Sequence, residues 1–277
     1  MKLLDARTRV AWENILVATD FSPFSETALR YAAALARRYN STVHLAHVAP
    51  RESRTLQASA SMAKLLGAGH LKGVAHQALM GQGEVWEELV DMVGRHHADL
   101  IVVGTSGRAG LHKAIEGSVA DQILRLAPCP VLTVGPHIAK PTPRVVEFKK
   151  IVYGASLQDG ALGAAVYAVS LAQEYQAHLT LVHVEPAEGT REEQLALKHA
   201  FRTRLQELVP PEAEDWCEPE FDIRFGEAAD NILRAAAYQD ADLIVLGVHP
   251  SPFFWETTAH KVADRARCPV LTVRAEE

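Results

Sequence analysis

The chain has 277 residues and a formal net charge of -6, which excludes a broad electrostatic attraction to nucleic acid or anionic membrane. Its 48% hydrophobic and 22% charged residues are ordinary for soluble globular protein and suffice for two domains of about 140 residues each. No apolar run approaches the ~18 residues needed to cross a bilayer. The opening stretch, MKLLDARTRVAWENILVATD, carries acids, arginines and Trp12 where an export leader needs an unbroken apolar core. Three cysteines, Cys129, Cys217 and Cys268, without CxxC spacing point to reduced thiols and a cytoplasmic location.

In chain order, the run ILVAT at 15–19 reads as a strand buried on both faces. Ser22 and Pro23 then give an N-cap and a first-turn proline for a helix whose apolar stripe is Ala28, Tyr31, Ala32 and Leu35. TVHLAHV at 42–48 is a second strand. The segment 51–80, with Gly67, Gly69 and Gly73, has only weak periodicity and reads as mobile. Val85, Leu89, Met92 and Val93 form another helical stripe, with His96 and His97 where an imidazolium complements the helix dipole. The strands DLIVVG at 99–104 and PVLTV at 130–134 complete this half.

The chain then repeats itself. Residues 14–50 align with 150–186 without a gap; Gly83 onward matches Gly226 onward; CPVLTV begins at Cys129 and again at Cys268. A proline-rich connector over 135–143 separates the copies. This organisation reads as two domains, 1–136 and 148–277, each a parallel sheet with helices on both faces. A ligand in such a sheet belongs at the carboxyl ends of the strands, where strand order reverses.

In the first copy the strand ending at Gly104 leads into GTSGRAGLHKAIEGSV, in which Gly104, Gly107 and Gly117 are followed by Ser118. Glycines at a strand end let backbone N–H groups approach an anion, and a helix N-terminus just beyond favours phosphate oxygens. Arg108, His112 and Lys113 could add positive charge or face solvent. Glycines near a strand end also mark ordinary turns, and spacing alone does not decide. The pattern is neither a Walker A loop nor the dinucleotide-binding fingerprint.

By these motifs the whole chain resembles tandem universal stress proteins: the ATDFS strand end, the HLAHV strand and the G-x2-G-x9-G-S loop are similar to that family. The resemblance implies two Rossmann-like (HUP-type) domains, each a five-stranded parallel sheet with helices on both faces, paired as an intrachain pseudo-dimer through Val131–Val134 and Val270–Val273. It implies an adenine-nucleotide site for ATP, AMP or ADP, with magnesium as companion. Gly104, Gly107, Gly117 and Ser118 would hold phosphates, Val119 would offer backbone contact, and Asp20 would be the acidic residue near the nucleotide. Ala18, Thr19 and Val48 would line the adenine side, with Val103 flanking the loop. Asp20 has a second reading, as the cap of the turn into the first helix.

The second copy departs from this pattern. Between its strand glycine, Gly247, and Cys268 it is shorter than the first copy's Gly104–Cys129 by 25 - 21 = 4 positions. Pro250 and Pro252 remove backbone donors, Phe253, Phe254 and Trp255 are bulky, and Ser156 stands where the first copy has Asp20. No phosphate site of the same kind is expected there; the aromatic run reads as a plug or as a docking patch for a protein partner. No nucleophile–base pair accompanies the first loop, so the chain reads as a regulatory nucleotide binder. Slow hydrolysis or adenylyl transfer, and a nucleotide-independent scaffold, are the alternatives, and a homodimer stays open. His44 and His47 read as alternating on one strand and sharing a face that could suit a metal, but no carboxylate or cysteine spacing completes a site. Cys217, in a polar stretch beside Trp216, is expected to be exposed.

Overall fold

The β-branched runs become strands in a computed structural model that describes residues 10–50, 55–106, 119–138, 144–157, 162–248 and 257–274. The chain divides into two compact units, built mainly on 11–146 and on 147–262.

The N-terminal unit runs β1 (Asn14–Ala18), α1 (Pro23–Tyr39), β2 (Thr42–Ala49), α2 (Thr55–Gly67), β3 (His76–Gln82), α3 (Val85–Arg95), β4 (Leu100–Gly104), α4 (Val119–Leu126) and β5 (Val131–Val134). Its strands are parallel in the order β3-β2-β1-β4-β5. Ile15, Leu16 and Val17 are almost fully buried, as a central strand covered on both faces requires. Helix α1 starts where sequence places it: the Ser22 hydroxyl accepts from the Ser25 N–H and Pro23 opens the first turn. It ends at Asn40, which takes the left-handed conformation (φ 58°) of a C-cap.

The C-terminal unit repeats the plan with β6 (Lys150–Gly154), α5 (Leu162–Tyr175), β7 (His178–Glu185), α6 (Arg191–Gln206), β8 (Glu220–Phe225), α7 (Ala228–Gln239), β9 (Leu243–Val248), α8 (Thr258–Arg265) and β10 (Val270–Arg274). Its order is β8-β7-β6-β9-β10, again parallel. The charged run at 191–193 begins α6, where Thr190 and Glu193 form a reciprocal capping box.

Details of packing repeat with the sequence. Trp12 meets Tyr39 at 5.1 Å between ring centroids, and the repeat-equivalent Phe148 meets Tyr175 at 5.1 Å. Asp99 accepts from the Glu13 and Asn14 amides, and Asp242 accepts from those of Lys149 and Lys150. Both carboxylates tie the start of the central strand to the strand beside it.

Two expectations are corrected. Much of the segment 51–80 forms α2 and most of the edge strand β3, which pairs with β2 from Val43–His76 to Ala49–Gln82. Gly67 ends α2, and Gly69 and Gly73 fall in the α2–β3 connection at positive φ; together they mask the pattern on either side. Cys217 is buried, and burial pushes its thiol up to about 12. The backbone turns at Pro211–Asp215 into a 3-10 helix whose Ala213 carbonyl accepts from the Cys217 N–H. Burial, with the Asp99 charge, likewise pushes the Cys129 thiol up to about 12. Neither is poised as a thiolate. Among the described residues no helix is long and apolar enough to cross a membrane.

Candidate functional site

Strand order in the N-terminal unit reverses at β1, which has β2 on one side and β4 on the other, so a crevice opens at their carboxyl ends. Register decides which side chains face it. Ala18 pairs with Ala46 on β2 and with Val103 on β4. Two residues farther along β2, on the same face, Val48 pairs with Gly81 of β3. The Val48 methyl lies 3.4 Å from the point a Gly81 Cβ would occupy, beside Met92 and Glu88 of α3. Ala18, Val48 and Val103 are therefore brought to one face, the α3 side, and Val48 and Val103 are largely buried there.

Thr19 turns the other way. Its hydroxyl is 3.0 Å from that of Ser25 on α1 and accepts from the Phe21 N–H, while its amide donates to the Ala46 carbonyl. The Thr19 carbonyl accepts from Nδ1 of His47 at 2.8 Å, which fixes the proton on that nitrogen. Phe21, held at φ 63°, lies against the His47 ring at 4.3 Å. Thr19, Phe21 and His47 thus brace the β1–α1 turn from the α1 side. The brace recurs in the C-terminal unit, where His183 Nδ1 donates to the Ala155 carbonyl at 2.9 Å and Phe201 of α6 lies on its ring at 4.6 Å. Positions two apart on β2 suggested a shared face for His44 and His47, but they are three apart in number and the structure puts them on opposite faces.

Asp20 is exposed at the end of this turn, and its carboxylate accepts from the Ser22 N–H at 2.9 Å. Partial burial raises its pKa, but hydrogen bonds from Ser22 and Ser25 outweigh that and leave it below the ordinary carboxylate value. The capping role is therefore filled, and the ionised group remains open to solvent beside the crevice.

Gly104 has a packing reason to be glycine. A Cβ here would stand 2.3 Å from the Phe24 carbonyl oxygen and 2.8 Å from the Ser25 nitrogen, inside the backbone of α1. Absence of a side chain lets the first turn of α1 close on β4. Val119 opens α4. Gly107, Arg108, Gly117 and Ser118 lie outside the described residues, as do Phe253, Phe254 and Trp255.

At the corresponding crevice of the C-terminal unit, two repeat positions carry larger side chains, while Gly154 replaces Ala18. Leu246 stands for Val103, and its Cδ2 is 2.5 Å from where a Gly154 Cβ would be; Ile232 is 2.8 Å from the same point. Arg224, paired with Val184, stands for Gly81. Its guanidinium donates to Asp222 at 2.7 Å and to the Asn231 carbonyl at 3.1 Å. Sequence reasoning located the altered loop of this unit but missed these fillings, which become visible only when strand register aligns β8 with β3.

Comparison with known proteins agrees with this architecture. A match to the universal stress protein family covers residues 11–135 and again 147–274. The chain belongs to that family and contains its domain twice. It is similar to a universal stress protein of Methanocaldococcus jannaschii, with 30% identity over 140 residues, 44% of this chain and 82% of the relative. A universal stress protein A homolog of Coxiella burnetii is 30% identical over 139 residues, 44% of this chain and 96% of the relative. The crystal structure of a universal stress protein from Archaeoglobus fulgidus superposes with a TM-score of 0.68 at 16% identity, over 95% of this chain and 97% of that one, a likeness of fold.

Proposed function

We propose that the N-terminal unit binds an adenine nucleotide, ATP, ADP or AMP, and that the protein acts as a nucleotide-responsive regulator in stress rather than as a fast enzyme. One observation carries the reading. Strand β4 ends at Gly104 beside the reversal in strand order, and α4 begins at Val119, so the G-x2-G-x9-G-S segment runs from a strand's carboxyl end to a helix start. That order suits backbone donors and a helix dipole directed at phosphate. Ala18, Val48 and Val103 offer the adjoining apolar wall for a base, and the ionised Asp20 is available to a ribose hydroxyl or to nucleotide-borne magnesium. The buried thiols of Cys217 and Cys268 accord with a reducing, cytoplasmic setting.

The test is titration of the intact protein with ATP, ADP and AMP by calorimetry and thermal shift. One nucleotide per chain is expected, and ligand at ~100 times its dissociation constant should add about 2.7 kcal/mol of apparent stability. No heat and no shift at millimolar nucleotide would remove the reading. Two equivalent sites per chain would refute the assignment to one unit.

A further inference from the structure

Beside Val48, β3 and α3 form a small group that differs sharply between the units. In the N-terminal unit it consists of Gly81, Glu88 and Met92. A Cβ on Gly81 would stand 3.2 Å from Glu88 Oε2 and 2.8 Å from the Met92 methyl, so these side-chain ends lie directly over the glycine. Glu88 Oε1 is also 3.5 Å from the corresponding point on Gly83, whose φ of +151° favours glycine. Glu88 is half-buried. No side-chain hydrogen bond or ion pair to its carboxylate is recorded among the described residues, although the i,i+4 pair Arg95–Asp91 on the same helix is formed.

In the C-terminal unit the same three positions are Arg224, Asn231 and Ala235. Their polar groups are satisfied from within: Arg224 by Asp222 and the Asn231 carbonyl, and the Asn231 amide by the carbonyls of Phe225 and Glu227. One unit closes this corner with its own hydrogen bonds. The other leaves a glycine and a carboxylate beside the wall that faces the base.

We propose that Glu88 is a specificity-determining residue of the nucleotide site, accepting a hydrogen bond from a donor on the nucleoside, with Gly81 keeping the approach clear. This rests on the nucleotide reading above. The donor is the exocyclic amino group of adenine or a ribose hydroxyl. A carboxylate is acceptor-only when ionised, so it opposes a base with a carbonyl oxygen in place of the amino group.

Calorimetric titration of the full-length protein with ATP, ITP and 2′-deoxy-ATP tests this in wild type, Glu88→Gln and Gly81→Arg. Wild type should prefer ATP over ITP or over 2′-deoxy-ATP by about tenfold or more, the scale of a hydrogen bond to a charged group. The disfavoured analogue identifies the donor. Glu88→Gln should lose most of that preference while keeping its thermal midpoint. Gly81→Arg, which installs the C-terminal unit's residue next to Glu88 as a counter-ion, should weaken all three nucleotides about tenfold or more. The proposal is overturned if wild type binds ATP and Glu88→Gln returns the same three affinities. If wild type binds none of the three, the nucleotide reading fails first and this one with it.

Discussion

At the end of its first strand the N-terminal unit has Ala18 where the C-terminal unit has Gly154, and the residue across from it changes from Val103 to Leu246. The smaller residue on the central strand is matched by the larger one on its neighbour, and the Leu246 and Ile232 side chains come within 2.8 Å of the point where a Gly154 Cβ would sit. Arg224 in place of Gly81 fills the adjoining corner. One fold thus carries two different crevices, because strand ends can be filled without disturbing the buried strand centres. The loss of the glycine loop in the second copy is one part of the difference; the side of the crevice that Gly81 and Val103 line in the first unit is filled by Arg224 and Leu246 as well.

The largest expected contrast comes from the two strand-end glycines, Gly104 and Gly247. Gly104→Ala drives a methyl into the α1 backbone, which cannot swing aside as a side chain can, and should cost about 1–3 kcal/mol. Gly247→Ala meets nothing nearer than the Ala164 Cβ at 3.5 Å and should change stability by about 0.5 kcal/mol or less. Urea unfolding of both variants checks this. Equal losses would mean that glycine is demanded by strand geometry in both units and not by helix approach in one.

A smaller contrast depends on pH. His44 is buried on β2, its Nε2 within 3.2 Å of the Asn14 side-chain oxygen and its ring 4.7 Å from that of His96. Burial first, and His96 second, hold its pKa below the ordinary 6.5. The unfolded chain therefore takes up this proton at a higher pH than the folded one. Stability from the neutral imidazole is present above 6.5 and is lost as pH falls from there toward the folded value. Carboxylates such as Asp20, whose reference value is 3.8, act only at lower pH. The repeat-equivalent in the other unit is Thr180, which does not titrate. His44→Thr should therefore flatten the fall in thermal midpoint between about pH 7.5 and about pH 5.5, whatever it does to the midpoint itself. An unchanged slope would show that His44 is not the source.

What sequence made legible followed physical range. Duplicated strands, the Ser22–Pro23 start of α1 and the break in the second loop are local patterns, and each could be read from adjacent residues. The edge strand β3 could not, because one face of HQALMGQ is exposed and its alternation is blurred by glycine and alanine. Thr19 shows the limit at the site: the strand end was identifiable, but which neighbour faces α1 and which faces α3 depends on register. Gly104 is similar. Its position suggested anion approach, whereas contact with Phe24, distant in sequence, supplies a packing reason that only the folded chain reveals.

The smallest contrast lies at matching helix ends. Asn40 closes α1 at φ 58° and Gln176 closes α5 at φ 47°, and both side chains are exposed, so replacing them loses little packing. Asparagine tolerates the left-handed region because its short side chain can bond locally; glutamine has no such help, and the conformation costs a typical L-residue roughly 1–2 kcal/mol. Glycine removes that strain but widens the unfolded ensemble, which returns about 0.5–1 kcal/mol of the gain. Gln176→Gly should therefore stabilise by about 0.5–1 kcal/mol in urea, and Asn40→Gly should be close to neutral. The same gain at both positions would show that the caps are equally strained, and that the asymmetry between the units stops short of their helix ends.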